Sequence, residues 1–247
     1  MRQAAHTILL SSMVLWAANC QTPEMQQPMA QFDQAFIPVL IYSYEGDAYQ
    51  AKRAVFYLDF NWQKLRNRCQ HNLPGEAEAL QRISEWLGDA YYAIDADYPL
   101  LAANQLEHVK YELMELRRRQ GIEYYLDLLY EFHSKLDLLT EAAQDEALCR
   151  LEWEEYEQLL RLAQRQWAYI CQQPLDAALF RFDEDKINRL AQRQLILKEA
   201  LGQFIEAADC ADRLEMAASS QALQPAFMEV LRLFGAFEAS QTHFAQR

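Results

Sequence analysis

The stretch AKRAVFYLDFNWQKLRNRC, residues 51–69, carries the repeat that decides the fold. Wound at 100° per residue, Ala51, Ala54, Val55, Leu58, Trp62, Leu65 and Cys69 fall within one narrow arc, the mark of an amphipathic helix. The same winding gathers Leu106, Val109, Leu113 and Leu116. It also gathers Ile122, Tyr125, Leu126, Leu129, Phe132 and Leu136. Nowhere do four to eight residues alternate apolar and polar between turn signals, so the chain is expected to be all-α.

Glycine and proline place the breaks. Gly46, Pro74-Gly75, Pro99, Gly121, Pro174 and Pro225 separate predicted helices over 31–44, 47–71, 76–95, 99–120, 122–141, 145–172, 184–218 and 224–236. Asp183 and Ser220 read as N-caps. About eight helices on short loops predict antiparallel bundle packing, in one body or two bundle-like halves. The expected bundle covers 32–173, with 174–247 as C-terminal helices packing on it or extending it. At an offset of 48, Ala54, Val55, Leu58 and Leu65 align with Ala102, Ala103, Leu106 and Leu113. Ala35-Phe36 with Val39-Leu40 is echoed by Ala226-Phe227 with Val230-Leu231. Leu87-Gly88-Asp89-Ala90-Tyr91 with Asp97-Tyr98 resembles one tetratricopeptide hairpin, which implies a helical-hairpin array as the alternative architecture.

The N-terminus reads as an address. Arg2 precedes an apolar run, Thr7 to Ala18, and Ala17-Ala18-Asn19-Cys20 closes it with small residues before a cysteine. A run of that length is too short for a membrane span, which takes about twenty apolar residues, and fits a secretory signal over 1–19. It resembles the bacterial lipoprotein signal, which implies that Cys20 is lipidated and becomes the mature N-terminus. The resemblance places the protein on the periplasmic side of a bacterial membrane. In such families an aspartate after the cysteine favours inner-membrane retention, so Gln21 favours the outer membrane. Residues 20–31, with two prolines and no apolar period, are expected to be the anchor and tether, reaching about 18 Å as a flexible coil.

Charge narrows the partners. A formal net charge of −13 repels phosphate backbones, which argues against nucleic acid. The basic cluster Arg117-Arg118-Arg119 lies just before Gly121, where cations complement a helix C-terminus. With Cys20 assigned to lipid, Cys69, Cys149, Cys171 and Cys210 remain as candidate disulfide partners in an oxidising compartment. Cys149 and Cys171 lie on one predicted helix, roughly 33 Å apart against a limit of ~7 Å, so if bridges form each pairs with Cys69 or Cys210; the alternative is four free thiols buried as small apolar residues.

Catalytic signatures are absent: no G-x-S-x-G, H-E-x-x-H, P-loop or dinucleotide fingerprint occurs, and no enzyme class is assigned. Asp183-Glu184-Asp185 opens like a calcium loop but has Asn188 and Gln194 where glycine and glutamate are needed. His108 and Glu112, spaced i, i+4, and His133, on the apolar arc of its helix, are the candidate metal ligands. No cofactor is predicted; a metal ion or haem is the alternative, the latter by fold-level similarity to exported cytochrome b562- and c′-like bundles. Five Trp, thirteen Tyr and twelve Phe suit wide inter-helix spaces or an aromatic groove. Phe227, Leu231, Phe234 and Phe237 form the candidate partner surface. The expected function is a lipid-anchored, non-catalytic interaction or structural component of a cell-envelope assembly, with envelope proteins as partners. A metal- or cofactor-binding periplasmic bundle is the alternative.

Overall fold

The computed structural model describes residues 22–73, 75–144 and 150–237. Among the described residues there are nine helices and no strand, so the all-α expectation holds. The helices are α1 Thr22–Tyr44, α2 Ala48–Asn72, α3 Ala77–Asp95, α4 Pro99–Arg119, α5 Tyr125–Gln144, α6 Arg150–Ile170, α7 Ala177–Phe180, α8 Glu184–Asp209 and α9 Arg213–Arg232. The described chain divides into two compact units, residues 22–123 with Phe237, and Tyr124–Ala236. No helix among the described residues is long and apolar enough to cross a membrane.

The first unit is a closed ring of four helices: α1 packs on α2 and α4, and α3 packs on the same two. Its two hairpins turn alike. Gly46 takes the left-handed φ of 74° and Asp47 caps α2 by accepting from Gln50 N at 3.0 Å. Asp97 takes φ 62° before Pro99 opens α4. The offset of 48 relates the second helices of these hairpins, and the residues it aligns are core apart from half-buried Val55. The second unit closes similarly, with α5 and α8 each packed on α6 and α9. In each unit the first and last helices, α1 with α4 and α5 with α9, pack on each other and close a bundle, whereas an open hairpin array leaves its end helices apart.

Several boundaries differ from the expectation. The expected tether is the start of α1, and Met25, Met29 and Ala30 are buried there. Met25, Met29, Phe32 and Phe36 share an i, i+4, i+7, i+11 face that the intervening Gln and Pro residues conceal. From Phe32 to Ile41 every residue of α1 is buried, so this helix has no polar face to announce it.

The expected helix 184–218 stops at Asp209, where Ala211 adopts φ 53° and Asp212 caps α9 by accepting from Glu215 N at 3.1 Å. Ser220 is no cap: it is buried inside α9, its hydroxyl donating to Ala217 O at 2.9 Å. Pro225 is accommodated within α9. Asp183 is the cap of α8, accepting from Lys186 N at 2.8 Å. The division expected between 173 and 174 lies inside the second unit. There α7, capped by Asp176, drives Phe180 and Phe182 into the core against Phe234, at ring separations of 5.3 and 4.9 Å.

Candidate functional site

The outer face of α2 is one place where the surface departs from the ordinary amphipathic pattern; Tyr92, Tyr98, Leu100 and Leu214 are exposed elsewhere. The core arc of this helix, Ala51, Ala54, Leu58, Trp62, Leu65 and Cys69, is buried as its periodicity requires. Roughly opposite, at about 160° around the helix, Tyr49, Arg53, Phe56, Phe60 and Lys64 fall within an arc of about 80°. Such a face is ordinarily charged and polar. Here Tyr49, Phe56 and Phe60 are 68%, 66% and 56% exposed. Cations interleave with the rings: the Arg53 guanidinium lies 5.7 Å from the Tyr49 ring centre and Lys64 Nζ lies 4.1 Å from that of Phe60. With Lys52, Arg53, Lys64, Arg66 and Arg68 against Asp59, α2 carries a net +4 in a chain of net −13.

Lys64 and Asn67 also border a groove of about 900 Å³ between α1 and α2. Gln27, Gln31, Asn61, Asn67 and Asn72 line it with amides, Lys64, Arg68 and His71 line it with nitrogen donors, and the Glu24 carboxylate lies 4.0 Å from Arg68. Asn61, nearly buried, donates through Nδ2 to Tyr57 O at 2.8 Å. Amides that both donate and accept, beside cations and exposed rings, are groups of recognition. The groove holds no nucleophile beside a base.

The three consecutive arginines of α4 have three different environments. Arg118 is exposed and pairs with Glu115 at 2.5 Å, holding that carboxyl below its usual value. Arg119 clamps Glu76 at 2.7 Å and reaches Glu112 at 3.3 Å, while Gln120 donates to Glu76 at 2.8 Å. The Arg119 hydrogen bond, ahead of the cost of burial, holds the Glu76 carboxyl below its usual value. Arg117, in the last turn of α4 with Arg118 and Arg119 as expected, is fully buried, with Nη1 3.6 Å from Asp33 Oδ2 of α1. On the same stripe, buried Lys110 pairs with Glu107, which also accepts from the Tyr44 hydroxyl at 2.8 Å.

The candidate metal ligands are engaged otherwise. His108 stacks on Trp86 with ring centres 5.3 Å apart. Glu112 accepts from Arg82 at 2.8 and 3.3 Å as well as from Arg119. Fully buried His133 stacks on Phe227 at 4.7 Å and 9°, with Nε2 3.1 Å from Gln224 Oε1. Gln224 Nε2 donates to Asp137 Oδ1, which orients the amide. Its Oε1 can only accept, so His133 Nε2 carries the proton of that bond. Among the described residues no group of three or more His, Cys, Asp or Glu side chains is arranged to hold a metal ion.

The predicted partner surface is corrected outright. Phe227, Leu231 and Phe234 are 1% exposed or less, forming core of the second unit. Phe237 is half-buried, its ring edge-on to Tyr42 at 5.5 Å. Apolar density in a sequence does not distinguish a core helix from a docking edge, and the ring contacts of Phe227 and Phe234 settle it as core.

Cys69, Cys171 and Cys210 are unbridged thiols, while Cys20 and Cys149 lie outside the described residues. Burial, then the nearby Glu76 carboxylate, pushes the Cys69 thiol up to about 12. Cys171 and Cys210 are exposed. A maleimide at pH 8 is therefore expected to modify Cys171 and Cys210 in the folded protein and Cys69 only after denaturation, as read by peptide mass mapping. Equal labelling of Cys69 in the folded chain would contradict its placement.

No aromatic stripe was inferred for α2 from the sequence, although the spacing of residues 49, 56 and 60 was there to be wound. Compared with known protein families, curated proteins and solved structures, the chain matches none of them.

Proposed function

We propose that this chain is an exported, lipid-anchored, non-catalytic binding protein of a bacterial cell envelope, acting through the outer face of α2. One observation carries the binding half: three large rings stand exposed between cations on the face of α2 turned away from its core. Large rings gathered on one exposed helix face and interleaved with cations favour a surface that meets a partner over one that faces water alone. Tyr, Phe and Arg are also enriched at protein interfaces. The export half rests on the apolar run Thr7 to Ala18 and on Cys20.

The test follows the chain in its own host, comparing wild type with Cys20→Ser and with Tyr49→Ser/Phe60→Ser. Cys20→Ser is expected to move the protein from the membrane to the soluble fraction. The double serine variant is expected to stay at the membrane, to melt as wild type does, and to lose the proteins that co-purify with it. Exposed positions of this kind ordinarily change stability by less than about 0.5 kcal/mol. An unchanged set of companions would overturn the binding half, and a membrane-bound Cys20→Ser would overturn the anchor.

A further inference from the structure

We infer that the α2 face centred on Tyr49 and Phe60 receives an acidic amphipathic helix of a partner protein, its apolar residues laid on the rings and its carboxylates met by Arg53 and Lys64. This rests on the binding reading above and names the class of partner.

Geometry supplies the first argument. Tyr49 and Phe60 lie eleven residues apart, or about 17 Å along the helix, with Phe56 between them. A partner helix presenting apolar residues at i, i+4, i+7 and i+11 covers that length in three turns. The amides of the α1–α2 groove begin at the edge of the stripe, where Asn67 follows Lys64, and offer hydrogen bonds to the partner's polar flank.

Charge decides among the occupants. A second copy docking through the same face would set a +4 helix against a +4 helix, and like charges across a contact are penalised. An anionic bilayer would attract the cations of α2, but it is broad and meets the whole molecule, whose net charge is −13. Glu45 and Asp47 precede α2, and Asp97 is held against its first turns by Lys52 at 2.8 Å, so carboxylates stand beside the stripe. A single helix, about 10 Å wide, is comparable with the screening length of about 8–10 Å at physiological salt. It therefore meets the Arg53 and Lys64 charges set among the rings and little of the distant acidic surface. An acidic helix is the occupant that gains from both the rings and the cations.

The test places a photo-reactive benzoylphenylalanine at position 49 or 60 of the full chain in its host, with position 162 of the second unit, also exposed, as control. Adducts are expected from 49 and 60 and not from 162, on a segment of one protein whose sequence winds as an acidic amphipathic helix. A synthetic peptide of that segment should bind the purified full chain. Arg53→Glu/Lys64→Glu should weaken binding about 30-fold, equivalent to about 2 kcal/mol. Raising salt should weaken the wild-type complex, an independent readout if the charge-reversal variant folds poorly. Adducts to phospholipid, to a second copy of the chain, or to a neutral or basic segment would overturn the acidic-helix partner. Absence of adducts at both 49 and 60 would overturn the binding reading as well.

Discussion

Asp33→Ala is expected to destabilise the first four-helix unit by about 3–5 kcal/mol, whereas Asp33→Leu combined with Arg117→Met should recover most of that loss or exceed wild type. Arg117 is wholly buried and Asp33 is 1% exposed, with 3.6 Å between their charged atoms. Transferring either charge from water into the helix interface costs several kcal/mol, and the partner's field offsets much of it. Removing the carboxylate alone leaves a guanidinium buried without that charge beside it. Replacing both residues by apolar ones of similar volume removes the desolvation cost together with the attraction. Set against a typical domain stability of about 5–15 kcal/mol, the single change takes the unit close to unfolding at ordinary temperature. Urea titration followed by circular dichroism measures it. A loss below about 1 kcal/mol for Asp33→Ala would mean that the pair contributes little to the fold.

The second large effect is at Phe227. Phe227→Ala is expected to cost about 3–5 kcal/mol, because a wholly buried ring is lost and a cavity stays behind. The ring lies 4.7 Å from that of His133, almost parallel to it, and 6.0 Å from that of Phe132. Phe132 in turn packs on Trp167 at 4.8 Å, so the cavity would open where α5, α6 and α9 meet. Phe60→Ala, removing the same side chain from a position 56% exposed, should change stability by less than about 0.5 kcal/mol. Thermal melts of the two variants give opposite outcomes for core and docking face. A wild-type melt for Phe227→Ala would return this residue to the list of surface candidates.

What could be read from the residues follows from how local each signal is. The 3.6-residue period of 51–69 depends on one helix and one core, and the buried set matches it. Asp47 and Asp183 act as caps because a side-chain oxygen reaches the backbone N–H three residues on, whatever surrounds it. The 209–213 break also had a local signal in Asp212, but no glycine or proline marked it. Pro225 carried a stronger apparent signal and misled, since packing can hold a helix through a lost hydrogen bond. The start of α1 was hidden because Gln and Pro residues interrupt a face that Met25 and Met29 bury.

The candidate site was less legible. Tyr49, Phe56 and Phe60 share an arc by spacing alone, yet α2 has apolar residues on two sides, and periodicity cannot say which is covered. His133 was placed on an apolar arc, but its partner Gln224 comes from α9, 91 residues away. The consecutive Arg117, Arg118 and Arg119 look alike as a string, and only the neighbours supplied by α1 and by Glu76 separate a buried charge from a surface clamp.

The sequence by itself determined the all-helical class, the starts of α2, α3, α4 and α8 and the inward arc of α2, because hydrophobic period and capping act within a few residues. Tertiary structure alone decided that the helices close as two four-membered rings and that Phe227 and Phe234 are core. It also decided that α2 turns its aromatic face to solvent, since burial depends on which distant helices arrive and on which side.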